Sequence, residues 1–285
     1  MRATPLPRND VRQYDELADS WWQPYGPVAM LHWLAGARAA LIPPAARPGA
    51  VLVDLGCGGG LLAPHARRLG YRHVGVDLST TGLGVARQHG VLVARADVAR
   101  LPLPDEAADA VSAGEILEHV PDAGAVVREA CRVLRPGGRL VIDTIAATRL
   151  ARFVAVTVGE RVPGGAPPGI HDPALFVDRS RLRDEAARGG VPLTLRGIRP
   201  SASGMLRWLA RREPEVRMVP TWSTAVLFQA YGDKTLDEAG GGTSRGDPGG
   251  GRGDPGGGRV DPGGGREYPR GGRAGGDDGR HRAAR

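Results

Sequence analysis

The sequence of 285 residues contains few cysteines, few aromatic residues and no long apolar run. Its two cysteines, Cys57 and Cys131, have no paired spacing, which argues against a disulfide scaffold and against a thiolate metal site. No segment approaches the ~20 apolar residues of a transmembrane helix, and residues 1–16 lack the apolar part of a secretion signal. We therefore expect a cytoplasmic protein that neither spans a membrane nor is exported.

Lysine is almost absent as well, so the basic character of the chain rests on arginine. The sequence has 38 basic residues against 31 acidic ones, and Lys234 is the only lysine. The arginines are scattered, and no basic run is interleaved with aromatic residues, so we expect no nucleic-acid binding. The hydrophobic content of 41% is sufficient for a sizeable core.

The most informative stretch is residues 51–60, which read Val-Leu-Val-Asp-Leu-Gly-Cys-Gly-Gly-Gly. An apolar run interrupted only by Asp54 is typical of a parallel strand buried on both faces. The apolar spacing over residues 61–69 predicts a helix directly after the glycines. Strand, glycine turn and helix together form half of a nucleotide-binding unit, in which the ligand lies against bare backbone.

Residues around the glycines indicate which nucleotide would bind. A dinucleotide motif requires a third glycine, but Leu61 occupies that position. The Asp54 carboxylate would repel a pyrophosphate and attract an ammonium group. Asp77 ends the next predicted strand, where a carboxylate can accept hydrogen bonds from both hydroxyls of a ribose. With close backbone approach at Gly56 and Gly58, this pattern favours S-adenosyl-L-methionine over NAD.

The rest of the chain predicts a doubly wound α/β fold with a mostly parallel, seven-stranded, Rossmann-like sheet. The predicted strands are residues 50–55, 73–77, 91–94, 109–113, 139–144, 193–197 and 224–231. Asp97 follows the third strand, where it is placed to accept from an adenine amino group or to serve as an ordinary loop aspartate. The expected domains are a helical cap (1–48), a cofactor-binding domain (49–235) and a disordered Gly/Arg/Pro-rich tail (236–285).

Two segments allow more than one interpretation. The helices predicted at residues 10–22 and 30–41 either form a lid over the ligand cleft or only pack beside it. Residues 149–161 combine an apolar stretch with arginines at 149, 152 and 161. Such a segment either covers the sheet or rests on a membrane surface, which would give peripheral contact with the inner face of the membrane.

Taken together, the motifs resemble the class I methyltransferases, and within them the UbiG-type ubiquinone-biosynthesis O-methyltransferases. The resemblance extends over residues 10–231. It rests on Trp21-Trp22, Leu31-His32 with Arg38, the glycine loop at 54–60, Glu115-Ile-Leu-Glu-His-Val-Pro-Asp122, Leu134-Arg-Pro-Gly-Gly138 and Gly169-Ile-His-Asp172.

The resemblance implies methyl transfer from S-adenosyl-L-methionine to a phenolic or catechol hydroxyl of a polyprenylated quinone precursor, or of another small metabolite. It implies that Arg38 reaches the methionine carboxylate. It also implies that residue 114 contacts the adenosine. The family usually has methionine at this position, so in this chain only the backbone of Gly114 could make the contact. Finally, it implies a divalent cation, Mg²⁺ or Zn²⁺, on Glu115, Glu118 and His119, and the i, i+3, i+4 spacing would place these on one helical face.

The proton acceptor and the reaction class stay open at this point. A phenolic hydroxyl must lose its proton either to a histidine, with His119 and His171 as candidates, or through a metal-bound oxygen. The alternatives to a methyltransferase are an NAD-dependent oxidoreductase, which Leu61 and Asp54 disfavour, and a protein that binds S-adenosylmethionine without transferring the methyl group.

Overall fold

The described residues of the computed structural model, 7–162 and 166–236, are built around a sheet of eight strands. In chain order these are β1 (Val51–Leu55), β2 (Arg72–Asp77), β3 (Leu92–Arg95), β4 (Ala108–Gly114), β5 (Leu134–Ile145), β6 (Thr194–Pro200), β7 (Met218–Thr221) and β8 (Leu227–Asp233). Their spatial order is β3-β2-β1-β4-β5-β8-β6-β7. All but Leu236 of the predicted tail at 236–285 lies outside the described residues.

The pairing confirms the predicted fold class. β1 to β5 pair in parallel, whereas β8 runs antiparallel to both β5 and β6. The sheet has one strand more than the seven predicted, because β7 pairs antiparallel with β6 at the sheet edge. β7 has only four residues and includes Pro220, so neither its length nor its composition predicts a strand.

Helices flank the sheet: α1 (Arg12–Asp15), α2 (Ala29–Ala39), α3 (Ala63–Arg68), α4 (Thr80–Gln88), α5 (Ala123–Val133), α6 (Arg149–Arg152), α7 (Arg179–Arg188) and α8 (Ala202–Leu209). Side-chain caps fix where several of them begin. Ser79 accepts from the Gly82 amide at the start of α4, and Asp122 accepts from the Ala125 amide at the start of α5.

The helix predicted at residues 10–22 is broken into α1 and the 3₁₀ turn Ala18–Ser20. Its backbone is held by a succession of bonds between residues three apart, such as Leu17 N to Tyr14 O and Ser20 N to Leu17 O. The apolar spacing is therefore correct, but the residues belong to tight turns rather than to one continuous helix.

The chain order of the strands reverses between β1 and β4. β1 leads to β2 and β3 on one side, and the chain then crosses to β4 and β5 on the other. Four of the five β1 residues and six of the seven β4 residues are buried, so the sheet is rigid at this point. Ligands of open α/β sheets bind in the crevice beyond the carboxyl ends of the strands at such a reversal.

Candidate active site

A cavity of about 550 Å³ lies beyond the carboxyl ends of β1, β2 and β4. It brings together all the predicted site residues except Glu118, which is buried outside its lining. Those that line it are Arg38, Asp54, Gly56, Gly58, Asp77, Asp97, Gly114, Glu115, His119 and His171.

The glycine turn after β1 has the backbone that its sequence requires. Gly56 and Gly58 have φ angles of +68° and +48°, the left-handed region that glycine tolerates. Asp77 fastens this turn, because its Oδ2 accepts from the Gly58 amide at 2.8 Å and its Oδ1 accepts from the Ser79 amide at 2.8 Å. The carboxylate therefore shapes the loop as well as lining the cavity.

The segment around α1 packs directly on the glycine turn. A Cβ built on Gly58 would lie 2.5 Å from the Trp21 ring, and Trp22 Nε1 donates to Gly59 O at 3.0 Å. Ser79 Oγ donates to Asp15 Oδ1 at 2.6 Å. The segment therefore covers the loop at which the cofactor is expected to bind.

The other two predicted carboxylates have different surroundings. Asp54 is buried at the end of β1, with Oδ2 3.4 Å from Nε2 of His73. Asp97 is exposed at the cavity, and its Oδ1 accepts from the Ala99 amide at 2.9 Å. Asp97 therefore caps a turn, as an ordinary loop aspartate does, while remaining available from the cavity.

Arg38 projects from α2 and is buried against β5. Its Nη1 donates to both carboxylate oxygens of Asp143, at 2.7 and 2.8 Å. Burial alone would lower the pKa of Arg38, but the Asp143 carboxylate raises it. Both side chains are almost fully buried, so the pair is a charged contact within the protein interior.

Glu115, Glu118 and His119 do not form the single helical face that their spacing predicts. Only Leu117–His119 forms a 3₁₀ turn, and Glu115 precedes it with a φ of +50°, so helical spacing does not apply to Glu115. Thr144 Oγ1 donates to Glu118 Oε2 at 2.7 Å. Within residues 7–162 and 166–236, no group of three or more His, Cys, Asp or Glu side chains is arranged to hold a metal.

The His119 ring is held by the segment that precedes and includes α1. Its Nδ1 lies 2.7 Å from Asn9 Oδ1, and its Nε2 lies 3.0 Å from the Tyr14 hydroxyl. Asn9 accepts only if Nδ1 carries the proton, which leaves Nε2 to accept from Tyr14. Burial, with a smaller effect from His171, lowers the pKa of His119 to about 3.

His171 stacks on His119, with ring centroids 5.5 Å apart. The sequence did not reveal its neighbour Glu160, which belongs to the 3₁₀ turn Gly159–Arg161. The Glu160 carboxylate accepts from the amides of Gly169 (2.9 Å) and His171 (3.3 Å), and Oε1 lies 3.5 Å from His171 Nδ1. Burial lowers the pKa of His171, and the Glu160 charge opposes this effect.

Asn9, Tyr14, Asp143 and Glu160 are therefore site residues that sequence reasoning missed. Asp143 alone had a visible signal, since it is a carboxylate within a strand whose neighbours are apolar. Asn9 and Glu160 lie in a turn and a 3₁₀ turn, and Tyr14 lies in the one-turn helix α1, so no regular spacing relates them to a predicted site residue. Their spacing carries no information about the site.

Residues 149–161 lie between the cavity and the protein surface. They form α6, the π-helical segment Phe153–Val158 and the turn that holds Glu160. Val154, Ala155 and Val158 line the cavity, whereas Leu150 and Phe153 are 52% and 56% exposed. Among the described residues, no helix has the length and apolar character needed to cross a membrane.

Known proteins are similar to this chain in both fold and sequence. The crystal structure of an S-adenosylmethionine-dependent methyltransferase from Thermotoga maritima matches with a TM-score of 0.54 and 18% identity, covering 79% of this chain and 99% of that one. A family model described as a methyltransferase domain matches residues 53–142. Fold and sequence thus define a methyltransferase that depends on S-adenosylmethionine.

The particular family follows from curated relatives. A ubiquinone biosynthesis O-methyltransferase from Methylobacterium sp. (strain 4-46) is 34% identical over 233 residues, covering 74% of this chain and 93% of the relative. One from Ralstonia nicotianae is 36% identical over 198 residues, covering 66% of this chain and 83% of the relative. The chain belongs to the family of the ubiquinone biosynthesis O-methyltransferases. The predicted family is confirmed, and the oxidoreductase alternative is excluded.

Proposed function

We propose that this enzyme transfers a methyl group from S-adenosyl-L-methionine to a phenolic hydroxyl of a quinone precursor that carries an apolar chain. The supporting observation is that one cavity joins the glycine turn at one side to a buried histidine pair at the other. Between them the lining is largely apolar, and it includes Leu31, Ile145, Val154, Ile170, Ile198, Met205 and Leu227. Such a lining suits an aromatic ring with a hydrocarbon substituent.

The cofactor would lie along the carboxyl ends of β1, β2 and β4. Asp77 would accept from the ribose hydroxyls, and Asp54 would attract the ammonium group of the methionine end. Gly56, Gly58 and Gly114 line the cavity and would offer their backbone groups to the cofactor. When bound, S-adenosylmethionine supplies a methyl group already activated by a sulfonium, so the protein mainly aligns donor and acceptor.

We assign the removal of the acceptor proton to His171. Nδ1 is buried 3.5 Å from Glu160 Oε1, so Nε2 is the ring nitrogen left to accept a proton from a hydroxyl in the cavity. Burial keeps the imidazole neutral, as a base must be. Both nitrogens of His119 are already within hydrogen-bond distance of Asn9 and Tyr14, so we assign His119 to supporting His171.

A divalent cation on Glu115, Glu118 and His119 does not fit this arrangement. A metal takes one ring nitrogen, so His119 would have to give up its contact with Tyr14 at Nε2 or with Asn9 at Nδ1 to bind it. The two carboxylates each retain one buried oxygen without a partner among the described residues. Glu118 lies outside the cavity lining, Thr144 holds its other oxygen, and the His119 ring is already hydrogen-bonded, so we derive no step through Mg²⁺ or Zn²⁺ and leave the cation as a prediction to be tested.

We further propose that this enzyme is cytoplasmic and contacts the inner face of the membrane through residues 149–161. Leu150 and Phe153 are exposed, and Arg149, Arg152 and Arg161 are exposed around them. This combination suits an anionic lipid surface. The opposite side of the segment lines the cavity, so an acceptor chain could enter from the bilayer at this point.

The experiment is methyl transfer with isotopically labelled S-adenosylmethionine and purified protein. We expect a labelled methoxy product from a prenylated catechol, equimolar S-adenosylhomocysteine, and weaker turnover of a catechol without the chain. The matched control is Asp77→Ala, which should weaken cofactor binding roughly 10- to 100-fold because a charged hydrogen bond contributes about 1.5–3 kcal/mol. Cofactor binding without methylation of either catechol would contradict the acceptor class, and labelling in a cell extract would then identify another metabolite.

A further inference from the structure

Arg38 reaches the cavity with part of its guanidinium uncommitted. Nη1 alone donates to Asp143, to both of its oxygens. Nε is buried and finds no acceptor among the described residues, although Arg38 lines the cavity. A buried donor without a partner is costly, so an acceptor from a ligand is expected beside it.

Glycine at position 114 leaves room for the guanidinium where it lies in this chain. A Cβ on Gly114 would collide with Cζ and Nη1 of Arg38 and lie 2.6 Å from Nη2. The Gly114 backbone is not in the left-handed region, so its φ angle does not require glycine. The requirement is space: a larger residue would occupy the volume in which the guanidinium lies.

Asp143 is the residue that keeps the guanidinium there. It is the direct partner of Gly114 in the parallel pairing of β4 with β5, and it is fully buried. A buried carboxylate needs a charged or hydrogen-bonding partner, and Arg38 provides it. Asp143 therefore orients the arginine, while Gly114, its neighbour on β4, leaves space for the guanidinium.

We propose that Asp143 is a positioning residue for the cofactor: it holds Arg38, in the space left by Gly114, so that the remaining guanidinium donors meet the methionine carboxylate of S-adenosylmethionine. The proposal rests on the proposed function for its ligand. In a competing arrangement, the ion pair with Asp143 keeps Arg38 away from the cofactor, and it must break before the cofactor binds. The two arrangements predict opposite effects of removing the Asp143 charge.

The test is calorimetric titration with two ligands, S-adenosylmethionine and methylthioadenosine, which lacks the amino-acid end. Asp143→Asn should weaken S-adenosylmethionine binding about tenfold or more, because a charged hydrogen bond to the ligand is lost or misplaced. Methylthioadenosine should bind this variant as it binds the wild type, which a merely structural defect would not allow. Unchanged or tighter binding of S-adenosylmethionine would overturn the proposal.

A second variant tests the role of Gly114. Gly114→Ala should weaken S-adenosylmethionine binding in the wild-type background and have no further effect in an Arg38→Ala background, as coupled neighbours do. An equal loss in both backgrounds would contradict the coupling. If Gly114→Ala fails to fold, the Asp143→Asn result with the two ligands still decides. If the wild type binds neither ligand, the proposed function fails rather than this inference.

Discussion

The Glu160 carboxylate lies 3.5 Å from Nδ1 of His171, and both side chains are buried. The same carboxylate accepts from the His171 amide, so it fixes the backbone as well as the ring. A carboxylate on one ring nitrogen selects the tautomer and orients the other nitrogen toward the reacting group. In the mechanism proposed above, Glu160 acts on the acceptor through His171, without touching the cofactor.

We predict that Glu160→Gln lowers kcat about tenfold or more, because a misoriented base loses part of the 10²- to 10⁴-fold that general-base catalysis contributes. The affinity for S-adenosylmethionine should not change, since glutamine keeps an acceptor for the loop amides. The comparison variant is Arg8→Gln, which removes the half-exposed partner of Glu160 and a bond to the His171 carbonyl (2.8 Å) but keeps the Glu160 carboxylate at the ring, so kcat should fall less than in Glu160→Gln. Equal kcat values for wild type and Glu160→Gln would remove Glu160 from the mechanism.

Gly58 provides a test of how closely the N-terminal segment covers the cofactor loop. Gly58→Ala should destabilise the fold by at least about 1–2 kcal/mol for the left-handed backbone alone, with a further cost from the Trp21 ring 2.5 Å from the new Cβ. Gly84→Ala in α4, where nothing lies within 4 Å, should instead stabilise by roughly 0.5–1 kcal/mol. Thermal denaturation measures both, and similar melting temperatures for the two variants would contradict the packing.

The cofactor half of the site could be predicted because its parts are local in sequence. A buried strand, a glycine turn and a following helix occupy contiguous residues, and Asp77 ends the next strand of the same unit. Parallel pairing of β1 with β2 then places Asp77 beside the glycine turn. Composition and spacing therefore contain enough information to assign these residues to one site.

The partners that hold Arg38 and His119 in place could not be predicted, because each is distant in sequence from the residue that it contacts. Arg38 and Asp143 are 105 positions apart, and Asn9 and His119 are 110 apart. Spacing also misleads at Glu115, because the helical period does not extend back to that residue. The left-handed backbone there follows from how β4 ends, and no side-chain pattern in the sequence marks it.

Metal dependence is tested at Glu118. If the family's cation binds, chelator should abolish activity, added Mg²⁺ or Zn²⁺ should restore it, and metal should raise the melting temperature of the wild type but not of Glu118→Gln. We expect the opposite from the positions of Glu115, Glu118 and His119: full activity in chelator and no effect of metal on melting. Loss of activity in chelator that returns with metal would show that a cation binds and that His119 gives up one of its two ring contacts, to Tyr14 or to Asn9.

Glu118 also predicts how stability depends on pH when metal is absent. Burial raises its pKa to about 7 from an ordinary value of 4.5, so the folded protein holds a proton that the unfolded chain releases. This contribution to stability is fully present below pH 4.5 and is lost as the pH rises through about 7. Melting temperatures of Glu118→Gln in chelator should therefore fall less between about pH 5 and about pH 8 than those of the wild type. Parallel curves for the two proteins would show that Glu118 does not carry the proton.

The last prediction concerns where the folded domain ends. Lys234 Nζ donates to the carbonyls of Cys131 (2.9 Å) and Leu134 (2.7 Å), which joins the end of β8 to the end of α5 and the start of β5. Truncation after Leu236 keeps this contact and removes only the glycine- and proline-rich repeats, so melting temperature and cofactor affinity should not change. Truncation after Asp233 removes Lys234 and should lower the melting temperature by several degrees, since charged hydrogen bonds contribute about 1.5–3 kcal/mol. A comparable loss in the longer variant would show that the repeats stabilise the domain, which their composition does not predict.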